Sequence, residues 1–268
     1  MECMYNLRDM KCIKFKRYLL LTLLLFTVQQ VVFAQQVLFI SSYSEKFETV
    51  DPQKKGIHEI FDANNIQLDI AYMDMKQYNT VENEDNFYTS LKYKIQRHTP
   101  YNAILLGDDA ALHFAEKHQK ELFNGIPMVF FCVNDIDAAV EAGKNKYITG
   151  AVEEFYLKET IDVAFKFNPK AKKIIALIDN TLTGKGDQKQ FYSYTSAYPS
   201  YFFYDINSSQ LTHEEFGKKL ESITQDSIVI YMTAFEDKEG NQYTIPEGVH
   251  FISEHCPVPV YRASFGGV

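Results

Sequence analysis

Small polar and acidic side chains recur in this sequence directly after short apolar runs. The first run, residues 37–40, is followed by Ser41, Ser42 and Tyr43. Later runs are followed by Asp108, Asp109, Asn134, Asp179, Asn180, Thr233 and Arg262. Hydroxyl, amide and carboxylate groups can fix the polar groups of a ligand, and a tyrosine ring can stack on it. We therefore predict that this set of ten includes the contacts of a small-molecule site.

Each of these residues also has a plain structural explanation. Asp, Asn, Ser and Thr commonly follow strands because they cap helices and form turns. Adjacent residues in an extended segment point to opposite sides, so Asp108 and Asp109 are poorly placed to share one substrate atom. We expect at least one of these two aspartates to cap a helix. Substitution of Tyr43 or Asp108 is expected to weaken ligand binding with little effect on stability, because loops at strand ends lie outside the cores.

Other chemistries find little support in the sequence. Histidines cluster with acids in residues 113–118 and 250–256, but the H-E-x-x-H zinc motif is absent. The segment Gly184-Lys185-Gly186-Asp187 lacks the leading glycine and the Ser/Thr of a phosphate-binding loop, and is predicted to be a flexible turn that opens a helix. There is no G-x-S-x-G elbow and no Cys–His nucleophile signature. We expect no metal, no cofactor and no catalytic residue.

Strands alternate with helices along the chain, which is typical of βαβ units and a parallel sheet. Apolar and alternating runs predict strands at residues 37–40, 66–73, 101–107, 127–133, 173–178, 201–204, 227–231 and 258–261. Helical spacing predicts helices at residues 51–64, 81–98, 110–119, 157–168 and 212–223. Residues 143–150 are predicted to be a connection, and residues 236–242 a solvated loop. The fold class is therefore α/β, with two successive lobes whose parallel sheets are flanked by helices. Open sheets of this kind bind ligands at the carboxyl ends of their strands.

The N-terminal residues 1–34 have the pattern of a secretory signal peptide. Basic residues precede an apolar core at residues 19–28, and Val32-Phe33-Ala34 provides small residues at a cleavage site. A retained membrane anchor is the alternative, although Gln29 and Gln30 interrupt the apolar run and favour cleavage. No cysteine follows this core directly, which disfavours a lipid anchor. We predict a periplasmic or otherwise extracytoplasmic protein.

Composition excludes some partners of the exported part. Five of the 27 basic and two of the 35 acidic residues precede Gln35, which leaves 22 basic and 33 acidic residues and a net charge of −11. This charge opposes nucleic acid and anionic membrane surfaces as partners. Two cysteines remain, Cys132 and Cys256, and they fall in different predicted lobes. We expect two separate thiols rather than a disulfide.

Four segments, in this order and spacing, resemble the type I periplasmic-binding-protein fold. They are the Val-Leu-Phe-Ile-Ser-Ser-Tyr stretch at 37–43 followed by Gly56-Ile57, the Ala-Ile-Leu-Leu-Gly-Asp stretch at 103–108, the Gly-Ile-Pro-Met-Val-Phe-Phe stretch at 125–131, and Pro-Val-Pro-Val-Tyr at 257–261. The branch that the sequence resembles most is that of ABC-type solute-binding proteins, which also serve as input domains of membrane sensor kinases. The resemblance extends from residue 36 to the end.

The resemblance implies two Rossmann-like lobes, at residues 35–147 and 148–263, that close on a small ligand in a cleft between them. It places the first chain crossing near residues 147–154 and the start of a return crossing at residues 264–268, and it implies that the last part of the fold is truncated. The implied function is the sensory input of a membrane two-component protein, with a membrane signalling module as partner. The alternative is a free solute-binding protein that serves an ABC permease; a hydrolase is a third, less favoured class. A homodimer is compatible with the family, and the ligand is not specified.

Overall fold

The computed structural model describes residues 35–97 and 100–263. The predicted signal peptide (1–34) and the predicted return segment (264–268) lie outside these described residues. The described residues all belong to one compact unit. Within them, no helix is long and apolar enough to cross a membrane.

The first lobe is a five-stranded parallel sheet with the strand order β2-β1-β3-β4-β5. Its strands are β1 (Gln35–Ser41), β2 (Ile66–Tyr72), β3 (Ala103–Gly107), β4 (Met128–Val133) and β5 (Ile148–Val152). Its helices are α1 (Val50–Ala63), α2 (Val81–Ile95), α3 (Asp109–Leu122) and α4 (Ile136–Ala142). The apolar run of β1 is buried, as the sequence predicts for a central parallel strand.

The second lobe is a four-stranded parallel sheet with the order β7-β6-β8-β9. Its strands are β6 (Lys173–Ile178), β7 (Phe202–Asn207), β8 (Ser227–Tyr231) and β9 (Val260–Tyr261). Its helices are α5 (Leu157–Phe167), α6 (Leu182–Ser193), α7 (His213–Glu221) and α8 (Ile245–His255). The structure thus confirms the predicted α/β class and its two parallel sheets.

The second lobe has a core on each face of its sheet. Ile174 and Ala176 of β6 belong to one cluster, whereas Ile175 and Leu177 belong to the other. Successive side chains of a strand point to opposite faces, so a run that is apolar throughout buries both of them. In the first lobe, the larger cluster joins β1, β3 and β4 to α2 and α3.

Side-chain caps fix the starts of three helices of the second lobe. Thr212 and Thr244 each form a capping box, with Glu215 and Glu247 respectively, at the start of α7 and α8. The Thr181 hydroxyl accepts a hydrogen bond of 3.0 Å from the Gly184 amide and so caps α6. These caps satisfy backbone donors that the first helical turn leaves unpaired.

Two predicted loops have a defined structure. Residues 143–150, predicted to be a connection, lead into β5, which pairs with β4 and so continues the first sheet past residue 147. The predicted solvated loop at residues 236–242 is folded around Asp237, which is only 3% exposed. Its carboxylate accepts hydrogen bonds from the backbone amides of Glu239 and Asn241 and from the Tyr243 hydroxyl. A buried carboxylate needs such partners, and they order the loop.

Candidate ligand-binding site

A cavity of about 960 Å³ lies between the two lobes, at the carboxyl ends of their strands. It is lined by residues that follow β1, β2, β3, β4, β5, β8 and β9, together with residues of α1, α6 and α8. Its wall includes Tyr43, Phe47, Thr49, Lys76, Asp108, Cys132, Asn134, Glu153, Phe155, Thr183, Asp187, Met232, Thr233, Phe235, Ile245, Val249 and Arg262. Open parallel sheets place ligand sites in this position.

Tyr43 forms part of a hydrogen-bonded chain that crosses from one lobe to the other. Its hydroxyl lies 3.3 Å from the Thr183 hydroxyl, which in turn donates a bond of 3.0 Å to Asp108 Oδ1. The Tyr43 ring packs on that of Phe47, with 4.4 Å between ring centroids. Burial, followed by the nearby Asp108 charge, raises the pKa of Tyr43 well above its ordinary value. Tyr43 therefore stays neutral and acts as a hydrogen-bonding wall of the cleft.

Asp108 is a buried carboxyl group at the start of α3. It has a positive φ of 78° and its side chain accepts a hydrogen bond of 3.1 Å from the Asp109 amide, so it is the helix cap that the sequence predicts. Burial, followed by the Asp109 charge, raises the pKa of Asp108 to about 7, although the Tyr43 hydroxyl and the Lys76 charge act to lower it. Asp108 can therefore exchange a proton near neutral pH.

Asp109 and Asn134 connect the ends of β3 and β4 to the second lobe. The Asp109 carboxylate accepts bonds from the Asn134 amide (3.1 Å) and from the Asp135 amide (2.9 Å). The Asn134 side chain donates a bond of 3.1 Å to Asp187 Oδ1, on α6. Asp187 has no exposed surface, and burial together with the Asp179 charge raises its pKa well above the ordinary value. Asn134 thus holds a buried acid of the opposite lobe.

Helix α6 is packed directly against the first lobe. The Gln190 side-chain amide donates to the carbonyl oxygens of Asn134 (2.8 Å) and Glu153 (3.0 Å), and Lys189 pairs with Asp135 at 2.5 Å. A Cβ atom on Gly186 would lie only 2.6 Å from the Asp135 amide nitrogen. Glycine is therefore needed at this position for the close approach of the helix.

Lys76 follows β2 and reaches across the cleft. Its ammonium nitrogen lies 4.5 Å from the ring centroid of Phe235, in the second lobe, and 5.6 Å from that of Tyr43. The side chain is 8% exposed. Aromatic faces attract a cation electrostatically, but they leave its N–H donors without hydrogen bonds.

Four buried side-chain atoms on the cleft wall have no hydrogen-bond partner among the described residues. They are Thr49 Oγ1, Lys76 Nζ, Asp187 Oδ2 and Thr233 Oγ1. The Thr233 hydroxyl lowers the pKa of Asp187 by its proximity, although the two groups do not meet hydrogen-bond geometry. Buried polar atoms are nearly always hydrogen-bonded in folded proteins, so their concentration here marks a surface suited to a polar ligand.

The cleft brings together half of the ten residues proposed from the sequence, namely Tyr43, Asp108, Asn134, Thr233 and Arg262. The Arg262 guanidinium lies 4.6 Å from the Tyr231 ring centroid. Both Tyr43 and Asp108 are more than nine-tenths buried and joined across the lobes, so the expectation that their substitution spares stability is not supported.

The other five, Ser41, Ser42, Asp109, Asp179 and Asn180, lie outside the cleft wall because their polar groups serve the fold. Ser41 Oγ accepts from the Tyr43 amide, and Ser42 Oγ donates to the Gly107 carbonyl at 2.7 Å. Asp179 accepts from the amides of Thr181 (3.0 Å) and Phe235 (3.1 Å). Asn180 is exposed on the surface.

Sequence reasoning missed several charged residues of the wall, among them Lys76 and Asp187. Lys76 comes four residues after the end of β2, so a wider search of the strand ends would have found it. Asp187 lies in the glycine-containing segment predicted to be a flexible turn. The predicted helix is present, but the predicted flexible turn was wrong, because this segment already lies within the first two turns of α6 behind the Thr181 cap. The two glycines are compatible with the helix here because the helix packs closely on neighbouring backbone.

No group of three or more His, Cys, Asp or Glu side chains in the described ranges is arranged to hold a metal ion. Cys132 and Cys256 are both free thiols, as predicted. Cys132 lies on the cleft wall, where burial, followed by the Asp108 charge, raises its pKa to about 12. A thiol with this pKa is a poor nucleophile at neutral pH.

Solved structures resemble this one over most of the chain. The ABC domain from Streptococcus pneumonia, in complex with L-Trp, matches with a TM-score of 0.60 and 14% identity, over 87% of this chain and 75% of that one. A conserved domain protein from Vibrio cholerae matches with a TM-score of 0.60 and 13% identity, over the same shares. A carbohydrate transporter from Acidothermus cellulolyticus, in complex with myo-inositol, matches with a TM-score of 0.55 and 10% identity, over 85% and 73%.

No family model matches the sequence, and no curated protein matches it significantly. The two parallel sheets, the cleft at their strand ends and these structural similarities define a two-lobed α/β fold. The chain has the type I periplasmic-binding-protein fold.

Proposed function

We propose that the chain is an extracytoplasmic domain that binds a small molecule in the cleft between its lobes. The observation that carries this proposal is the concentration of four unpartnered buried polar atoms on the wall of a cavity of about 960 Å³. Ligand sites combine apolar walls with a few polar groups that fix orientation, and this cleft has both. The cross-lobe contacts of α6 supply a route by which an occupied cleft changes the lobe interface.

We place this binding event at the input of a membrane two-component signalling protein, with a membrane signalling module as the partner. Delivery of the ligand to an ABC permease is the second candidate, favoured by the structural similarity to a carbohydrate transporter. The two roles predict different defects after gene deletion. Loss of ligand-dependent transcription with normal ligand uptake supports the sensor, whereas loss of uptake supports the importer.

The proposed function involves no turnover. After prolonged incubation with the protein, a bound compound is expected to be recovered unchanged by mass spectrometry. A product formed at a rate that scales with protein concentration would instead support the hydrolase alternative. We also propose export with removal of residues 1–34, so intact-mass analysis of the secreted form should show a chain that starts at Gln35.

A thermal-shift screen of the protein against a metabolite library tests the binding proposal. A compound present at 100 times its dissociation constant stabilises the folded state by about 2.7 kcal/mol, which is a readily measured shift. We expect one chemical class to raise the melting temperature in a concentration-dependent way. Absence of stabilisation by any compound would contradict the proposal.

A further inference from the structure

Two residues of the cleft wall, one acidic and one basic, each have a buried hydrogen-bonding atom without a partner among the described residues. Asp187 comes from the second lobe and has an unpartnered carboxylate oxygen, while Lys76 comes from the first lobe and has an unpartnered ammonium nitrogen. Both are more than nine-tenths buried. Their charges interact, yet they form no hydrogen bond with each other. Asp187 Oδ2 therefore lacks a hydrogen-bond donor, and Lys76 Nζ lacks an acceptor.

We infer that the ligand is a small zwitterion, whose cationic nitrogen binds Asp187 Oδ2 and whose anionic group binds Lys76 Nζ. The inference rests on the proposed binding function and specifies the chemical class of the ligand. Hydrogen bonds between ionised groups are the stronger ones, and in a buried site they satisfy both atoms at once. A ligand of this class bridges the lobes, because its two ends contact opposite sides of the cleft.

The remainder of the wall indicates that the zwitterion carries an apolar body. Phe47, Phe155, Phe235 and Met232 line the same cavity, as do aliphatic residues of α8. A polyol would also satisfy Asp187 and Lys76, but it brings many further hydroxyl groups. Apart from Asp187 and Lys76, the described cleft wall offers two buried polar groups without a hydrogen-bond partner, the hydroxyls of Thr49 and Thr233. Most hydroxyls of a polyol would therefore lie against apolar surface.

The charges around Asp187 favour a cation at this end. Asp179 and Asp109 both face it, and Lys76 is the cation that offsets them. Burial and the Asp179 charge raise the pKa of Asp187, so a proton competes with the ligand's ammonium group for this carboxylate. The bound ammonium group donates an ionic hydrogen bond to the deprotonated carboxylate. Below the pKa of Asp187, affinity should therefore fall by up to about tenfold for each pH unit.

Calorimetric titration with matched compounds tests the inference. The probes are L-phenylalanine, L-leucine and L-methionine, each compared with its analogue lacking the amino group and its analogue lacking the carboxyl group. We expect at least one zwitterion to bind, with at least thirtyfold loss of affinity in both of its analogues. Asp187→Asn should weaken zwitterion binding at least thirtyfold and remove the fall in affinity at low pH. Lys76→Met should leave the affinity for the analogue without the carboxyl group unchanged, because that analogue has no anionic group to bind Lys76.

The outcomes separate this inference from the proposed function. Asparagine has the shape of aspartate, and a cooperative melting curve for each variant confirms that it is folded. If sugars or other neutral compounds stabilise the protein and no zwitterion binds, the inference fails and the binding function stands. Equal affinity for a zwitterion and its deaminated analogue also overturns the inference. If no compound of any class binds, the proposed function itself fails.

Discussion

The side-chain amide of Asn134, in the first lobe, donates a hydrogen bond of 3.1 Å to the carboxylate of Asp187, in the second. Asn134 is 3% exposed and Asp187 is wholly buried, so the bond is shielded from solvent. The Asn134 backbone carbonyl accepts a second bond across the same interface, from Gln190. The two lobes are therefore joined at the floor of the cleft by residues that also form its wall.

Removal of this contact should destabilise the protein. Asn134→Ala leaves the buried Asp187 carboxyl without its amide donor, and loss of a buried hydrogen-bond partner costs about 1–3 kcal/mol. Asn180→Ala is the matched control, because Asn180 is an exposed residue at the end of a strand. Urea unfolding should show a lower free energy of unfolding for the first variant and a change within about 0.5 kcal/mol for the second. Equal stability of both variants would contradict the role given to Asn134.

Two glycine-to-alanine substitutions should have opposite signs. Alanine at Gly186 places a methyl group 2.6 Å from the Asp135 amide nitrogen, which should push α6 away and cost about 1–3 kcal/mol. Gly56 lies within α1 with nothing near its added Cβ, so alanine there should stabilise the helix by about 0.5–1 kcal/mol. Thermal unfolding of both variants checks the pair. Stabilisation by Gly186→Ala would show that the lobes do not need this close contact.

The pKa of Asp108 predicts a specific pH dependence of stability. Because burial raises this pKa to about 7, the folded state holds a proton that the unfolded state releases near pH 4. The contribution of Asp108 to the free energy of unfolding is therefore fully present at low pH. It is lost as the pH rises from about 4 to 7, by up to about 1.4 kcal/mol per pH unit. The groups that face Asp108 are Asp109, Lys76 and Tyr43.

Urea unfolding of the parent protein and of Asp108→Asn, at several pH values between 5 and 8, measures this contribution of Asp108 to the free energy of unfolding. Contributions from other acids cancel in the difference between the two proteins. The parent should lose stability relative to the variant up to pH 7, and the difference should then level off. Asp85→Asn, at an exposed helix position, serves as the control and should follow the parent. A constant difference between the parent and Asp108→Asn would mean that Asp108 titrates alike in both states.

Tyr43 should contribute to stability through its ring far more than through its hydroxyl. Tyr43→Phe removes only the 3.3 Å contact with Thr183, so we expect a loss of about 1 kcal/mol or less. Tyr43→Ala also removes the buried ring that packs on Phe47, which should cost about 3 kcal/mol. Comparison of the two free energies of unfolding checks the prediction. Similar losses in the two variants would place the effect in the hydroxyl bond instead.

Several strands could be predicted from the sequence to the residue. Strands β6 and β8 are continuous apolar runs between polar residues, because both of their faces are buried. Strand β5 was missed because four of its five residues are exposed, so no apolar pattern marks it. The start of helix α6 was misassigned to a flexible turn because its glycines, which packing against the first lobe requires, weaken the helical pattern.

The site was predictable where its residues follow strands and not elsewhere. Tyr43, Asp108 and Thr233 come from strand ends, and a parallel sheet gathers these at one edge. Asp187 comes from within a helix, and only the way the lobes meet brings it to the cleft. Conversely, Asp179 follows a strand but uses its oxygens on backbone amides, which sequence alone does not distinguish from ligand binding.

A second cavity, of about 700 Å³, lies on the second lobe beside α7 and α8 and offers an alternative place for a ligand. It is lined by His213 and by His255, whose imidazole is already paired with Glu221 at 2.8 Å. Substitutions in the two cavities therefore distinguish the two locations. His213→Ala alters this second cavity and leaves the cleft between the lobes intact.

The most direct test is calorimetric titration of the compound with the largest thermal shift into the parent protein, Tyr43→Ala and His213→Ala. Far-ultraviolet circular dichroism at the titration temperature confirms that each variant is folded. If the ligand binds in the cleft between the lobes, Tyr43→Ala should raise its dissociation constant by about thirtyfold or more, because buried aromatic contacts often contribute over 2 kcal/mol. His213→Ala should bind like the parent. Unchanged binding by Tyr43→Ala, or weakened binding by His213→Ala alone, would contradict a ligand site between the lobes.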